Sequence, residues 1–112
     1  MKDHARSVFH RLPENLNCAQ AVLDAWQEAT GRQVAPLEEF RALGGGRAPE
    51  GECGALHAAC RCAPEAADSM RAAFAQAAGS GHCLTLKREL RFPCKECVGL
   101  ASELLSSASE AS

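Results

Sequence analysis

Apolar residues in this 112-residue chain recur at three- and four-residue spacing, and glycine or proline interrupts each such stretch before it grows long. That pattern restricts the chain to short amphipathic helices packed on one another. Ala5, Val8, Phe9 and Leu12 make a first stripe, with Asp3 placed to cap it and Pro13 to stop it. Asn17 and Gln20 read as a capping box, opening a helix with Cys18, Val22, Ala25, Trp26 and Ala29 on one side that ends near Gly31. Pro36 begins a third helix through Phe40 and Leu43, which runs into Gly44-Gly45-Gly46 and the loop from Arg47 to Gly51. The run from Cys53 to Cys60 reads as a helix with Cys53 in its first turn. After Pro64 comes a helix whose face is Ala66, Met70, Ala73, Phe74 and Ala77, closed by Gly79-Ser80-Gly81. Cys83 precedes a short helical stretch from Leu84 to Leu90. Phe92-Pro93 then leads into a last helix carrying Cys94, Cys97, Val98, Ala101, Leu104 and Leu105 on one side.

No segment alternates over the length of a strand, and no repeat of fixed period is present. The expectation is an all-α chain, a compact bundle of about five to seven short helices. It forms one domain over residues 1–112, with a frayed Ser-rich tail at 106–112. A chain this long buries roughly 60–70% of its unfolded surface, enough for one core and not for two. Aromatic residues are 4% of the chain, so the helices must meet through small side chains.

A net charge of −2 leaves no polyanion footprint and argues against nucleic acid, and no apolar run approaches the roughly 20 residues of a membrane span. The first ten residues are charged and contain His4 and His10, so they lack the apolar stretch of a secretory signal. Seven cysteines is an odd count, unlike an exported disulfide scaffold. The expected location is cytoplasmic, where clustered cysteines serve metal binding or catalysis more often than structure.

Cys18, Cys53, Cys83 and Cys94 each fall just after a loop or proline, at the start of a helix. Helix N-termini present unpaired N–H groups and about half a positive charge, which stabilises thiolates and anionic cofactors. Four such termini converging would suit an iron–sulfur cluster, [4Fe–4S] or [2Fe–2S]. The bland alternative for any one cysteine is a small buried hydrophobe. Structural zinc competes, although zinc ligands come as two close doublets and only Cys94 and Cys97 have that spacing. The Cys94–Cys97 motif also suits a thiol–disulfide oxidoreductase or redox sensor, but the βαβ context of thioredoxins is missing and Val98 stands where a c-type haem motif has histidine. Cys60 and Cys62, two apart on a helix, point to different sides. His57 lies one turn after Cys53 and admits a mixed Cys/His site. Lys87, Arg88, Arg91 and Lys95 make either a solvated face or a rim that balances an anionic cofactor or docks an acidic partner. Paired carboxylates, a Ser/His arrangement and a phosphate loop are all missing, so an electron carrier is favoured over an enzyme with its own substrate.

The residues resemble the C_GCAxxG_C_C family of redox-active proteins over most of the chain. Asn17-Cys18-Ala19-Gln20-Ala21-Val22-Leu23 is similar to the family's opening helix, and Cys53-Gly54-Ala55 to its CGA element. The stretch from Phe74 to Gly79 with Cys83, and Cys94 with Val98 and Ala101, are similar to its later cysteine segments. Ala58 stands where the signature has its last glycine, and Cys60, Cys62 and Cys97 are additional to its four cysteines. The resemblance implies a helical fold and a redox role, and a related module in split-Soret-type cytochromes carries an iron–sulfur cluster. Spacing and resemblance together lead to one cluster held by Cys18, Cys53, Cys83 and Cys94, with Cys97 as substitute ligand. The partners expected are a redox partner protein and, for a dimer, a second copy of the chain.

Overall fold

Gln20 N–H donates to Asn17 Oδ1 at 2.9 Å and Asn17 N–H donates to Gln20 Oε1 at 3.0 Å. The expected capping box is therefore formed, and it opens α1 (Cys18–Thr30). Gly31 ends the helix at φ 71°, a left-handed conformation that favours glycine. Both capping side chains also reach outward. Asn17 Nδ2 donates to the Arg41 carbonyl at 2.8 Å, and Gln20 Nε2 donates to the Leu37 carbonyl at 2.9 Å. These bonds hold α2 (Leu37–Phe40) and its 3₁₀ continuation Arg41–Leu43 against the start of α1. Gln20 is fully buried, so the same bonds satisfy a polar group that burial would otherwise penalise.

The computed structural model describes residues 5, 7, 9, 16–31, 36–43, 48 and 51–111. Beyond α2 lie α3 (Gly54–Cys62), a 3₁₀ turn Pro64–Ala66, α4 (Ala67–Ala78), a π-helical turn Thr85–Glu89 and α5 (Cys94–Ala111). The described residues form an all-α bundle with no strand, only two isolated bridges. Ala5 and Ser7 are helical, and Phe9 N–H donates to the Ala5 carbonyl at 3.2 Å, one hydrogen bond of the expected leading helix. Asp3, Val8, Leu12 and Pro13 lie outside the described residues, as do Gly44-Gly45-Gly46 and Arg47.

Helices α1, α3 and α5 pack on one another pairwise, and α4 covers α3 and α5. Their contact faces are small: Ala19, Ala21, Ala25, Ala55, Ala58, Ala59 and Ala101 are all buried. Phe40, Phe74, Leu23, Leu56, Leu86 and Leu105 fill the remaining core. A shortage of aromatic residues thus becomes close helix approach. Two expected stripe residues, Ala29 and Ala77, are exposed. The Ser-rich stretch expected to fray is helical to Ala111, with Ala108 resting on the core. Among the described residues, no helix is long and apolar enough to cross a membrane.

Replacing Asn17 removes a helix cap and the tie to Arg41 together. Asn17→Ala should lose about 1–2 kcal/mol of stability. Urea unfolding should show this as a lower midpoint with an unchanged slope.

Candidate functional site

Four chain turns deliver cysteines to one place, and the local chemistry of each turn is visible. Cys18 is the first residue of α1, directly after the Asn17 cap. Cys53 is the N-cap of α3, one position before the first turn where spacing had put it. Its N–H donates to the Gly81 carbonyl at 2.7 Å, and Glu52 and His82 form an isolated antiparallel bridge, which sets Cys83 beside Cys53. Cys83 opens the helical stretch that widens into the π turn. Arg91, at φ 51°, closes that turn, and Phe92 N–H returns to the Leu86 carbonyl at 2.7 Å. Pro93 then accepts from the Glu96 and Cys97 N–H groups and starts α5 at Cys94.

Cys18, Cys53, Cys83, Cys94 and Cys97 line a single cavity of about 20 Å³, with Leu86 and Lys87 completing the wall. That volume holds about one water-sized guest. No three Cys, His, Asp or Glu side chains among the described residues already converge as ligands of one ion. None of the seven cysteines is in a disulfide. Four of the five lining cysteines are buried and Cys94 is half-buried, so the cavity approaches solvent at the start of α5, beside Lys87.

Gly54 makes this convergence possible. A Cβ placed there would stand 2.6 Å from the Leu43 carbonyl oxygen and 2.8 Å from Cys18 Sγ. Only a residue without a side chain lets the start of α3 come this close to α1 and the 3₁₀ turn.

The thiols differ electrostatically. A hydrogen bond from the Cys97 thiol holds the Cys53 thiol below its ordinary pKa against the cost of burial. The Ala55 and Leu56 N–H groups at the start of α3 add to this, although neither makes a full cap hydrogen bond. The same bond to Cys53, together with burial, pushes Cys97 up. Burial raises Cys83, with Lys87 opposing it. The neighbouring sulfurs, Cys94 first and then Cys83 and Cys18, hold the Lys87 ammonium above its ordinary value despite partial burial.

Cys60 and Cys62 lie at the other end of α3, about 10 Å or more along the helix axis from Cys53. Burial first, with nearby negative groups adding to it, pushes them up, Cys60 to about 11 and Cys62 to about 12, and Cys60 Sγ donates to the Ala67 carbonyl at 3.8 Å. His57 does not join the cavity. Its Nδ1 pairs with Glu52 Oε1 at 3.0 Å, and Arg71 clamps the same carboxylate from Nε at 2.7 Å and Nη2 at 3.1 Å. Burial would raise the Glu52 carboxyl, but those hydrogen bonds outweigh it and hold it low. Of the four basic residues singled out in the sequence, Lys87 alone lines the cavity. Leu86 and the Glu52–Arg71 clamp escaped the sequence reading, since no spacing signals a contact between residues nineteen apart.

The donor set fits a thiolate-bound iron–sulfur cluster: soft sulfur donors, four of them at helix starts, in an otherwise apolar pocket. Loading one would replace the thiol protons and the Cys53–Cys97 hydrogen bond and spread the sulfurs apart.

Gly54→Ala should lower stability by about 1–3 kcal/mol and raise the alkylation rate of Cys18. Gly81→Ala should be mild, because its Cβ would meet only the end of the Leu56 side chain, at 3.2 Å. The Cys60 and Cys62 thiols set a pH dependence. Their folded pKa values lie above the unfolded value of about 8.5, so their contribution is complete below that pH and is lost as pH rises through 11 and 12. The thermal midpoint should fall from about pH 9 upward, and less steeply in the Cys60→Ala, Cys62→Ala variant. The chain matches no family model, no curated protein and no solved structure.

Proposed function

We propose that this protein is a small electron-transfer module holding one iron–sulfur cluster through Cys18, Cys53, Cys83 and Cys94, with Cys97 able to replace Cys94. The observation that supports it is selective convergence: four cysteines at separate helix starts, with Cys97 one turn into α5, share one cavity, while Cys60 and Cys62 stay apart at an opposite helix end. Each residue has a task. Cys53 supplies a thiol held below its ordinary pKa, the start of α3 directs N–H groups toward its sulfur, and Lys87 places a positive charge at the mouth. Such a cluster takes up and releases one electron, with no bond made or broken in the protein. Leu86 and the helix faces behind the thiols keep water from the sulfurs. The resemblance to the C_GCAxxG_C_C family points the same way.

One observation favours a second reading, a thiol–disulfide oxidoreductase or redox sensor. The hydrogen-bonded thiol pair in the cavity is Cys53 with Cys97, not Cys94 with Cys97. Oxidising that pair would form one S–S bond and release two protons, while a substrate disulfide accepts the two electrons and becomes two thiols.

Iron, sulfide and zinc analysis of anaerobically purified protein separates these readings. The cluster reading expects brown protein with stoichiometric iron and sulfide. Colourless protein with two reactive thiols would favour the dithiol, and bound zinc a structural site. Cys83→Ser should lose most of the iron and visible absorption, because a hard oxygen replaces a soft ligand, whereas Cys62→Ala should keep both. Cys94→Ser should retain a cluster of altered spectrum, and the Cys94→Ser, Cys97→Ser double variant should lose it.

A further inference from the structure

Two large hydrophobic side chains are exposed among the described residues, and both lie in the segment that walls the cysteine cavity: Leu84 at 57% and Leu90 at 45%. Single exposed leucines are ordinary on a protein surface. These two share a short stretch with Lys87, Arg88, Arg91 and Lys95, against one acid, Glu89, in a chain whose net charge is −2. All four cations are exposed. The stretch spans the Cys83 wall and the start of α5, where half-buried Cys94 brings the cavity nearest to solvent. An exposed stretch that joins two apolar side chains to four cations, beside the one half-buried cavity thiol, has the composition of a transient docking surface, in which charges steer encounter and apolar side chains exclude water.

We infer that the outer face from Leu84 to Lys95 docks an acidic carrier protein, with Leu84 and Leu90 in the contact and Arg88, Arg91 and Lys95 around it. This rests on the electron-transfer reading of the cavity, because it assigns that site's partner. Lys87 belongs to the cavity wall and is left out of the rim variants. Opposite charge speeds association and makes it salt-sensitive, whereas a small apolar contact keeps the complex short-lived, as an electron carrier requires. Arg91 adds a constraint: held at φ 51°, it gives the rim a set backbone conformation at the point where the π turn leaves the helix.

Binding can be read without reference to metal content. The probe is a plant-type [2Fe–2S] ferredoxin, an acidic carrier, titrated into the ¹⁵N-labelled protein, with cationic cytochrome c and polyglutamate as comparisons. The expected result is ferredoxin binding that shifts amide signals within Leu84 to Lys95 and weakens about tenfold or more between 50 and 200 mM salt. The Arg88→Gln, Arg91→Gln, Lys95→Gln variant should weaken binding about tenfold at low salt, and Leu84→Ser should weaken it at both salt levels. Shifts located elsewhere, binding indifferent to salt, equal binding of cytochrome c or of polyglutamate, no binding at all, or no effect of Leu84→Ser would each overturn the inference. Iron and sulfide analysis judges the cluster reading separately. Protein that binds ferredoxin as expected but holds no iron would keep the docking face and remove the cluster.

Discussion

Where Gly54 meets the Cys18 sulfur and the Leu43 carbonyl, there is no room for a single methyl group, and the arrangement of the site follows from that contact. Because α3 begins so near α1, Cys53 at its N-cap and Cys18 at the head of α1 share one cavity. The hydrogen bond from Cys53 N–H to Gly81 then carries the chain of Cys83 to the same place, and α5, packed on both α1 and α3, brings Cys94 and Cys97. Small residues repeat this logic across the bundle. Buried alanines on α1, α3 and α5 let helices approach until their starts, not only their faces, come together.

Bringing five thiols into one largely apolar pocket has an electrostatic consequence. A single thiolate is supported there by the Cys97 thiol and by the N–H groups at the start of α3. Ionising more of them sets like charges side by side in low dielectric, with one ammonium at the mouth to oppose them. A bound cationic metal centre would relieve that conflict, because it replaces protons on several sulfurs at once. Cys60 and Cys62 provide the contrast within the same helix. With Cys60 buried and Cys62 half-buried, they are shifted upward chiefly by desolvation and lie outside the cavity that the other five share, as ordinary core cysteines do.

Cys97 stands where the cluster and dithiol readings diverge. It is one turn into α5, so it receives less of the helix-start field than Cys94, and its proton is shared with Cys53. In a cluster site that position makes it a reserve ligand. In a dithiol site the same contact makes it the partner of an already low-pKa thiol. The Glu52–Arg71 clamp and the His57 contact serve both, since they anchor the residue before Cys53 to α4 and so set the entry into α3.

The helices, their order, most of their ends and the placement of four cysteines at helix starts were legible in the sequence. Glycine, proline and the Asn17–Gln20 box act over a few residues and leave a local signature. Four cysteines stood out in the sequence by their shared helix-start context, and the structure sets those four on one cavity together with Cys97. Contacts between distant residues were decided by tertiary structure: Gly54 against Cys18, Cys53 against Cys97, and His57 turned to Glu52 instead of the thiols. Likewise, spacing predicted a plain helical stretch from Leu84 to Leu90, whereas the chain adopts a π turn closed by left-handed Arg91. Helical periodicity tells which side of a helix is apolar. It carries no information about how far apart two helices stand, and that distance, set here by a missing methyl group, decides which sulfurs meet.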